Sequence, residues 1–158
     1  MEAAMSVALV RNPGDGPRFE YYDFGIEQVI STDETDGVLT ATRFVMRPSG
    51  APPLHAHSRE DEAWVVLSGE VRFWVGGTTL DECDVHVAEP GALVFSPRLV
   101  PHTLQPVTST AEILQLNSPG AIEGYFKGIG PAGERADADN LDFLESYGVR
   151  VFAAPPPA

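Results

Sequence analysis

Three of the four histidines in this 158-residue chain fall into one pattern: His55-Ala56-His57, then Glu62, then His102 forty residues further on. Two imidazoles at i and i+2 on an extended segment project to the same face, because side chains alternate along a strand. A carboxylate five residues later can return on the neighbouring strand, and a distant histidine can close the cluster. Three nitrogen ligands and one oxygen ligand suit a first-row divalent ion, with Fe, Mn, Ni, Co, Cu and Zn all compatible. On an octahedral ion, four protein ligands leave two positions for substrate, water or dioxygen. Glu60 and Asp61 stand beside Glu62 and compete with it as the carboxylate ligand. His86, the remaining histidine, lies in the alternating run Val85-His86-Val87-Ala88. A surface or core role is its simpler reading, although its ordinary pKa near neutrality makes it the first residue to check for a proton shuttle.

The rest of the composition narrows the chemistry. The single cysteine, Cys83, excludes an internal disulfide and a thiol-rich metal site. It sits in Leu80-Asp81-Glu82-Cys83-Asp84, where neighbouring carboxylates discourage a thiolate, so it reads as structural. A net charge of -13 argues against nucleic acid or an anionic membrane as partner, since both need concentrated Lys and Arg. A small-molecule substrate is the expectation. No apolar run approaches the roughly 20 residues of a membrane helix. Glu2 stands where a secretory leader would carry positive charge, so a cytoplasmic protein is expected. The length suits one domain with one core.

The elements that must position these residues read as strands. Fourteen prolines and fifteen glycines punctuate short runs rich in β-branched and aromatic residues. The expected strands are 6–10, 18–24, 27–31, 38–46, 63–67, 71–75, 78–80, 85–88, 93–95, 102–105 and 111–117. Val38–Met46 alternates, with Val38, Thr40, Thr42, Phe44 and Met46 on one side. Ser68-Gly69-Glu70 and Gly76-Gly77 read as hairpin turns. Many short strands with regular turns indicate a sandwich or barrel. Helix is confined to the end. Ser118-Pro119 is placed as N-cap and first-turn proline before Ile122, Tyr125, Phe126 and Ile129, and a second short helix is placed over Asn140–Tyr147. The chain therefore divides into N-terminal strands over 1–37, a β core over 38–117, a helical extension over 118–150 and a disordered Pro-rich tail over 151–158.

With these motifs in view, the sequence resembles a small single-domain cupin. That family's first motif runs Gly, a spacer, His-x-His, three or four residues, Glu, six residues, Gly. Gly50, His55, His57, Glu62 and Gly69 follow it, with a Gly50–His55 spacer of four residues, one shorter than usual. The second motif runs Gly, five residues, Pro, then His five positions beyond, and Gly91, Pro97 and His102 follow it. Leu99 stands where that motif has an inner glycine, and Pro106 where it ends in asparagine. The resemblance covers about Val38 to Asn117. It implies an all-β jelly-roll barrel, a double-stranded β-helix, with His55, His57, Glu62 and His102 as ligands of one divalent transition metal. Glu62 is preferred over Glu60 and Asp61 because its spacing to His57 and Gly69 matches the motif.

Cupins span dioxygenases, isomerases, cyclases, lyases and ligand-binding proteins, and fold alone does not choose among them. Trp64 and Val66 share strand parity with Glu62, and Phe73, Leu93, Phe95 and Leu104 are further candidates for the barrel lining. Trp64, Phe73, Phe95 and Leu104 are taken as the substrate pocket. An apolar, aromatic lining suits an aromatic or polyketide-like substrate better than a sugar. Gln115-Leu116-Asn117-Ser118-Pro119-Gly120 and the following helix are similar to the quercetin-dioxygenase-like group. That resemblance implies a dioxygenase-like enzyme acting on a small aromatic or enolisable, flavonol- or polyketide-like substrate, with Glu62 as both ligand and base. A non-oxidative metal-dependent polyketide cyclase or isomerase is the second reading, and a non-enzymatic metal- or ligand-binding cupin the third. N-terminal strands outside the motifs suggest a homodimer.

Overall fold

Thr40, Thr42, Phe44 and Met46 are buried at every second position, so the strand they form has one dry side, which fixes its register in a sandwich. The structure is a computed structural model and describes residues 7–22, 24–125, 130–131 and 141–158. Its strands are β1 (Arg18–Tyr22), β2 (Phe24–Ile30), β3 (Thr40–Met46), β4 (Leu54–His57), β5 (Asp61–Ser68), β6 (Val71–Val75), β7 (Asp84–Ala88), β8 (Leu93–Ser96), β9 (His102–Pro106), β10 (Ala111–Ser118), β11 (Gly130–Pro131) and β12 (Val149–Ala153), with the short helix α1 (Leu141–Ser146) before β12. They build two sheets, ordered β11-β1-β2-β3-β10-β5-β8 and β12-β4-β9-β6-β7. Pairing is antiparallel except where β11 runs parallel to β1. The all-β expectation holds: this is a mostly-β sandwich with little helix.

Register carries the core from strand to strand. Ile26 pairs with Phe44, Phe44 with Ile113, and Ile113 with Val66, giving one buried apolar row across the larger sheet. Trp64 and Phe73 meet this row from opposite sheets, with ring centroids 5.5 Å apart. Burying each such aromatic contributes about 1.5–3 kcal/mol.

Several local expectations change. Ser68-Gly69-Glu70 is not a hairpin: β5 and β6 belong to different sheets, and the turn crosses between them. Gly69 adopts φ 74°, and a Cβ there would meet the Thr110 carbonyl oxygen at 2.5 Å, so only glycine fits this crossing. Gly76-Gly77 does begin a connection between paired strands, β6 and β7, but Leu80–Glu82 is a 3-10 turn rather than part of a strand at 78–80. Residues 7–10 form no strand, and Ser6 lies outside the described residues. Ser118 ends β10 and its hydroxyl donates to the Val38 carbonyl, so it caps no helix. The backbone is helical at 123–125, and the remainder of the first expected helix lies outside the described residues.

The tail corrects the largest expectation. Val149–Ala153 is a strand on the edge of the smaller sheet, paired with β4, and not disordered chain. Beyond it, the Gln105 side-chain amide donates to the carbonyls of Pro156 and Pro157, and Pro156 is buried. Proline lacks an N–H but keeps its acceptor, so a Pro-rich segment can still be held through its carbonyls. Among the described residues no helix is long and apolar enough to cross a membrane.

Candidate metal centre

His55 and His57 sit two apart on β4 and His102 opens β9, directly opposite His55 in the register. Glu62 comes from β5 in the facing sheet, so the cluster bridges the two layers. One ligand atom from each of the four lies within 4.8 Å of the others. Glu62 Oε2 is 2.7 Å from His102 Nε2 and 3.3 Å from His57 Nε2. Neighbouring donors around a divalent ion at about 2.1 Å stand about 3 Å apart, so these separations match a shared ion. Glu62 Oε2 and both Nε2 atoms are buried without a hydrogen-bond partner of good geometry. Buried polar atoms left in this way call for an explanation, and a cation among them supplies one.

The groups behind the ligands fix which atoms face inward. His55 Nδ1 lies 2.6 Å from the Pro53 carbonyl oxygen. His102 Nδ1 lies 3.1 Å from the Val100 carbonyl oxygen and 3.1 Å from Ser96 Oγ. A carbonyl only accepts, so each of these imidazoles carries a proton on Nδ1 and turns Nε2 towards the cluster. His57 Nδ1 contacts Glu60 Oε1 at 2.6 Å. Glu62 is held from the other side. Asn117 Nδ2 donates to its Oε1 at 2.8 Å, and Gln115 Nε2 at 3.3 Å. Trp64 Nε1 donates in turn to Gln115 Oε1 at 2.9 Å. Register explains the network, since β10 and β5 pair Asn117 with Glu62 and Gln115 with Trp64.

Electrostatics agree with a site built for positive charge. Burial, with His102 and His57 as neighbours, pushes the His55 imidazole down to about 3. Burial opposes charge on His57 too, but the carboxylates of Glu62 and Glu60 outweigh it and push His57 up to about 10. Burial would raise Glu62, yet His57 and His102 hold it well below the usual carboxylate range. An ionised Glu62 facing imidazole nitrogens is a donor set for a divalent transition ion, and the residues present fit one.

The cluster forms the polar wall of an apolar cavity of about 80 Å3, lined by Phe24, Ile26, Phe44, Met46, Trp64, Leu104, Ile122, Tyr125, Leu144, Val149 and Val151 among others. Of the four expected pocket residues, Trp64 and Leu104 line this cavity. Phe73 is fully buried but packs behind Trp64, outside the lining. Phe95 points outward and is 60% exposed, because it pairs with Ala63, whose parity is opposite to Glu62 and Trp64. Leu93 is outward for the same reason, and Val66 is core. His86 is exposed on edge strand β7, separated from β9 and its ligand by β6, and takes no part in the cluster. Asp61 turns outward to Arg98.

Sequence reasoning marked the block that contains Gln115 and Asn117 but gave neither residue a part in the metal centre. Their signal was available: both occupy core-facing positions of a strand whose other inward residues, Ala111 and Ile113, are apolar. Leu99, in the place of the motif glycine, nevertheless keeps the left-handed conformation, with φ 70°. Its N–H donates to the His57 carbonyl at 2.7 Å, tying the loop before His102 to β4.

Residues 42–115 match the family model of the cupin domain. No curated protein sequence matches the chain. Among solved structures, KdgF from Halomonas sp. is 19% identical with a TM-score of 0.51, covering 61% of this chain and 78% of its own. Hydroxypropylphosphonic acid epoxidase from S. wedmorenis is 19% identical with a TM-score of 0.56, covering 70% of this chain and 59% of its own. TT1209 from Thermus thermophilus is 22% identical with a TM-score of 0.51, covering 61% of this chain and 84% of its own. These likenesses are of fold, spread over diverse cupins with no preference for a quercetinase subgroup. Two facing sheets, the motif match and the buried His3Glu cluster together make residues 42–115 a cupin domain.

Proposed function

We propose that the protein is a metal-dependent, dioxygenase-like enzyme acting on a small aromatic or enolisable substrate. One observation carries this reading: the inward-facing ligand atoms of His55, His57, Glu62 and His102, with Gln115 beside them, form the polar wall of a mostly apolar cavity. A bound divalent ion would supply Lewis acidity and open positions for substrate oxygen and dioxygen. The apolar walls exclude water and favour a substrate whose polar atoms sit at one end. In this reading Glu62 Oε2 accepts a proton from a substrate hydroxyl. Its basicity is weak, because His57 and His102 outweigh burial and hold it in the ionised form. An ion held by His55, His57, Glu62 and His102 would supply the acidity that a substrate hydroxyl needs before so weak a base could take its proton. About 80 Å3 has room for roughly half a dozen waters. That size supports a single-ring phenol or a short β-diketone over a three-ring flavonol.

The test is elemental analysis of the purified protein followed by oxygen-uptake assays with catechols, hydroxyquinols and short β-diketones, after loading with Fe, Mn, Ni, Co, Cu or Zn in turn. Oxygen consumption and incorporation of labelled oxygen with a redox-active ion support the reading. Turnover of the same diketones by the zinc form under nitrogen would replace it with a cyclase or isomerase. Tight metal binding without turnover of any candidate would leave a ligand-binding cupin.

A further inference from the structure

The three imidazoles of the cluster are not anchored alike. His55 and His102 rest their Nδ1 atoms on backbone carbonyls, with Ser96 assisting His102. His57 alone rests on a carboxylate: Glu60 Oε1 lies 2.6 Å from its Nδ1. Glu60 is 0% exposed, in the connection between β4 and β5; its contact with His57 is an ion pair at 2.6 Å, and neither of its oxygens makes a hydrogen bond of good geometry among the described residues. Taking a carboxylate out of water costs several kcal/mol, and here no arginine, lysine or backbone N–H within hydrogen-bond reach offsets it. A residue serving only to fill that space would be better apolar. Its one ion pair among the described residues is with the outward nitrogen of a candidate metal ligand.

We propose that Glu60 is a positioning residue for the metal centre: it orients the His57 ring, fixes the proton on Nδ1 and strengthens Nε2 as a donor to the ion. A carboxylate does this better than a carbonyl because it draws the Nδ1 proton harder and leaves more electron density on the far nitrogen. The arrangement makes His57 the strongest of the three imidazole donors. The inference concerns metal retention and rests on the His3Glu cluster, not on which reaction the protein performs.

Glu60→Ala and the isosteric Glu60→Gln, made in the full chain, test it. Affinity for Zn2+ is read by competition with a chromophoric chelator, ligand geometry from the visible bands of the Co2+-loaded protein, and folding from the melting temperature of the chelated protein. Glu60→Ala is expected to weaken Zn2+ binding about 10–100-fold and to shift the Co2+ bands. Glu60→Gln, which keeps an acceptor for Nδ1–H but loses the charge, is expected to fall between it and the wild type, and it covers the case in which the alanine variant does not fold. Wild-type affinity and Co2+ bands in Glu60→Gln, with any change confined to the melting temperature, would overturn the role. Failure of the wild type itself to bind any ion would overturn the metal centre as a whole, a different result from failure of Glu60 alone.

Discussion

Replacing Asn117 with alanine asks whether the amides behind Glu62 belong to the metal site or merely fill the sandwich. Asn117 is fully buried and donates to Glu62 Oε1 at 2.8 Å, the shorter of the two bonds that oxygen accepts. A hydrogen bond to an ionised acceptor contributes about 1.5–3 kcal/mol. Its removal leaves Gln115 as the single side-chain donor to that oxygen, at 3.3 Å and tethered to Trp64. About 2 kcal/mol lost from a domain of this size lowers the melting temperature by about 4–8 °C. The carboxylate also gains rotational freedom, so its Oε2 no longer arrives preoriented, and Zn2+ affinity should fall about tenfold or more. Calorimetry of the chelated protein reads the first effect, and chelator competition the second. Asn117→Asp is the sharper variant, because it sets a second carboxylate against Glu62 and should cost more in the metal-free protein than in the loaded one. If Asn117→Ala melts within about 1 °C of wild type, far inside the expected shift, and binds Zn2+ as tightly, the amides do not position Glu62.

The ligands themselves should separate by stability. His57→Ala removes the group that compensates two buried carboxylates and should cost the metal-free protein about 3–5 kcal/mol. His55→Ala removes an imidazole held neutral, with a pKa of about 3, and should abolish tight metal binding with little loss of melting temperature; equal melting temperatures for the two variants would contradict this. For the metal-free protein, His57 has a folded pKa of about 10, above its ordinary value of 6.5, so its contribution is fully present below about pH 6.5 and is lost as pH rises towards 10. Glu62 is lowered, so its contribution is present above about pH 4.5 and is lost below. Unfolding by urea across pH should therefore show greatest metal-free stability near about pH 5–6, and a maximum above about pH 8 would refute the assignment. At about pH 7.5 metal binding should release about one proton from His57, which titration calorimetry in buffers of different ionisation enthalpy measures. Leu99→Gly should leave the fold intact and raise stability by about 0.5–1 kcal/mol, because it relieves roughly 1–2 kcal/mol of left-handed strain against the entropy a glycine adds to the unfolded chain. Leu99 is 69% exposed, so little packing is lost, and a clear destabilisation would show that its side chain holds the loop.

The four ligands were legible in the sequence because they depend on local parity and on motif spacing that the fold preserves. His55 and His57 share a face by alternation alone, and Glu62 and Trp64 share another on β5. Parity also contained the correction for Phe95, since it pairs with Ala63, the residue between those two inward positions. What sequence reasoning could not supply was which strands pair. Phe73 has core parity, yet it lies on β6, one strand beyond His102 and Leu104, so it packs behind the cavity and not in it. The ordered tail was missed because strand propensity in Val149–Ala153 is short and runs into prolines, and only the open edge of β4 turns it into a strand.

The same reason explains why the outer layer of the metal site stayed hidden. Gln115 and Asn117 are 53 and 55 residues from Glu62 in the chain and become its clamp only through the register of β10 on β5. A shift of one residue in that pairing would turn both amides to the outer face and set Leu114 or Leu116 against the carboxylate. The β10–β5 register is therefore a condition of the His3Glu cluster's geometry as well as of packing. The ligand identities can survive in a sequence whose strands have slipped; the preorganised Glu62 cannot.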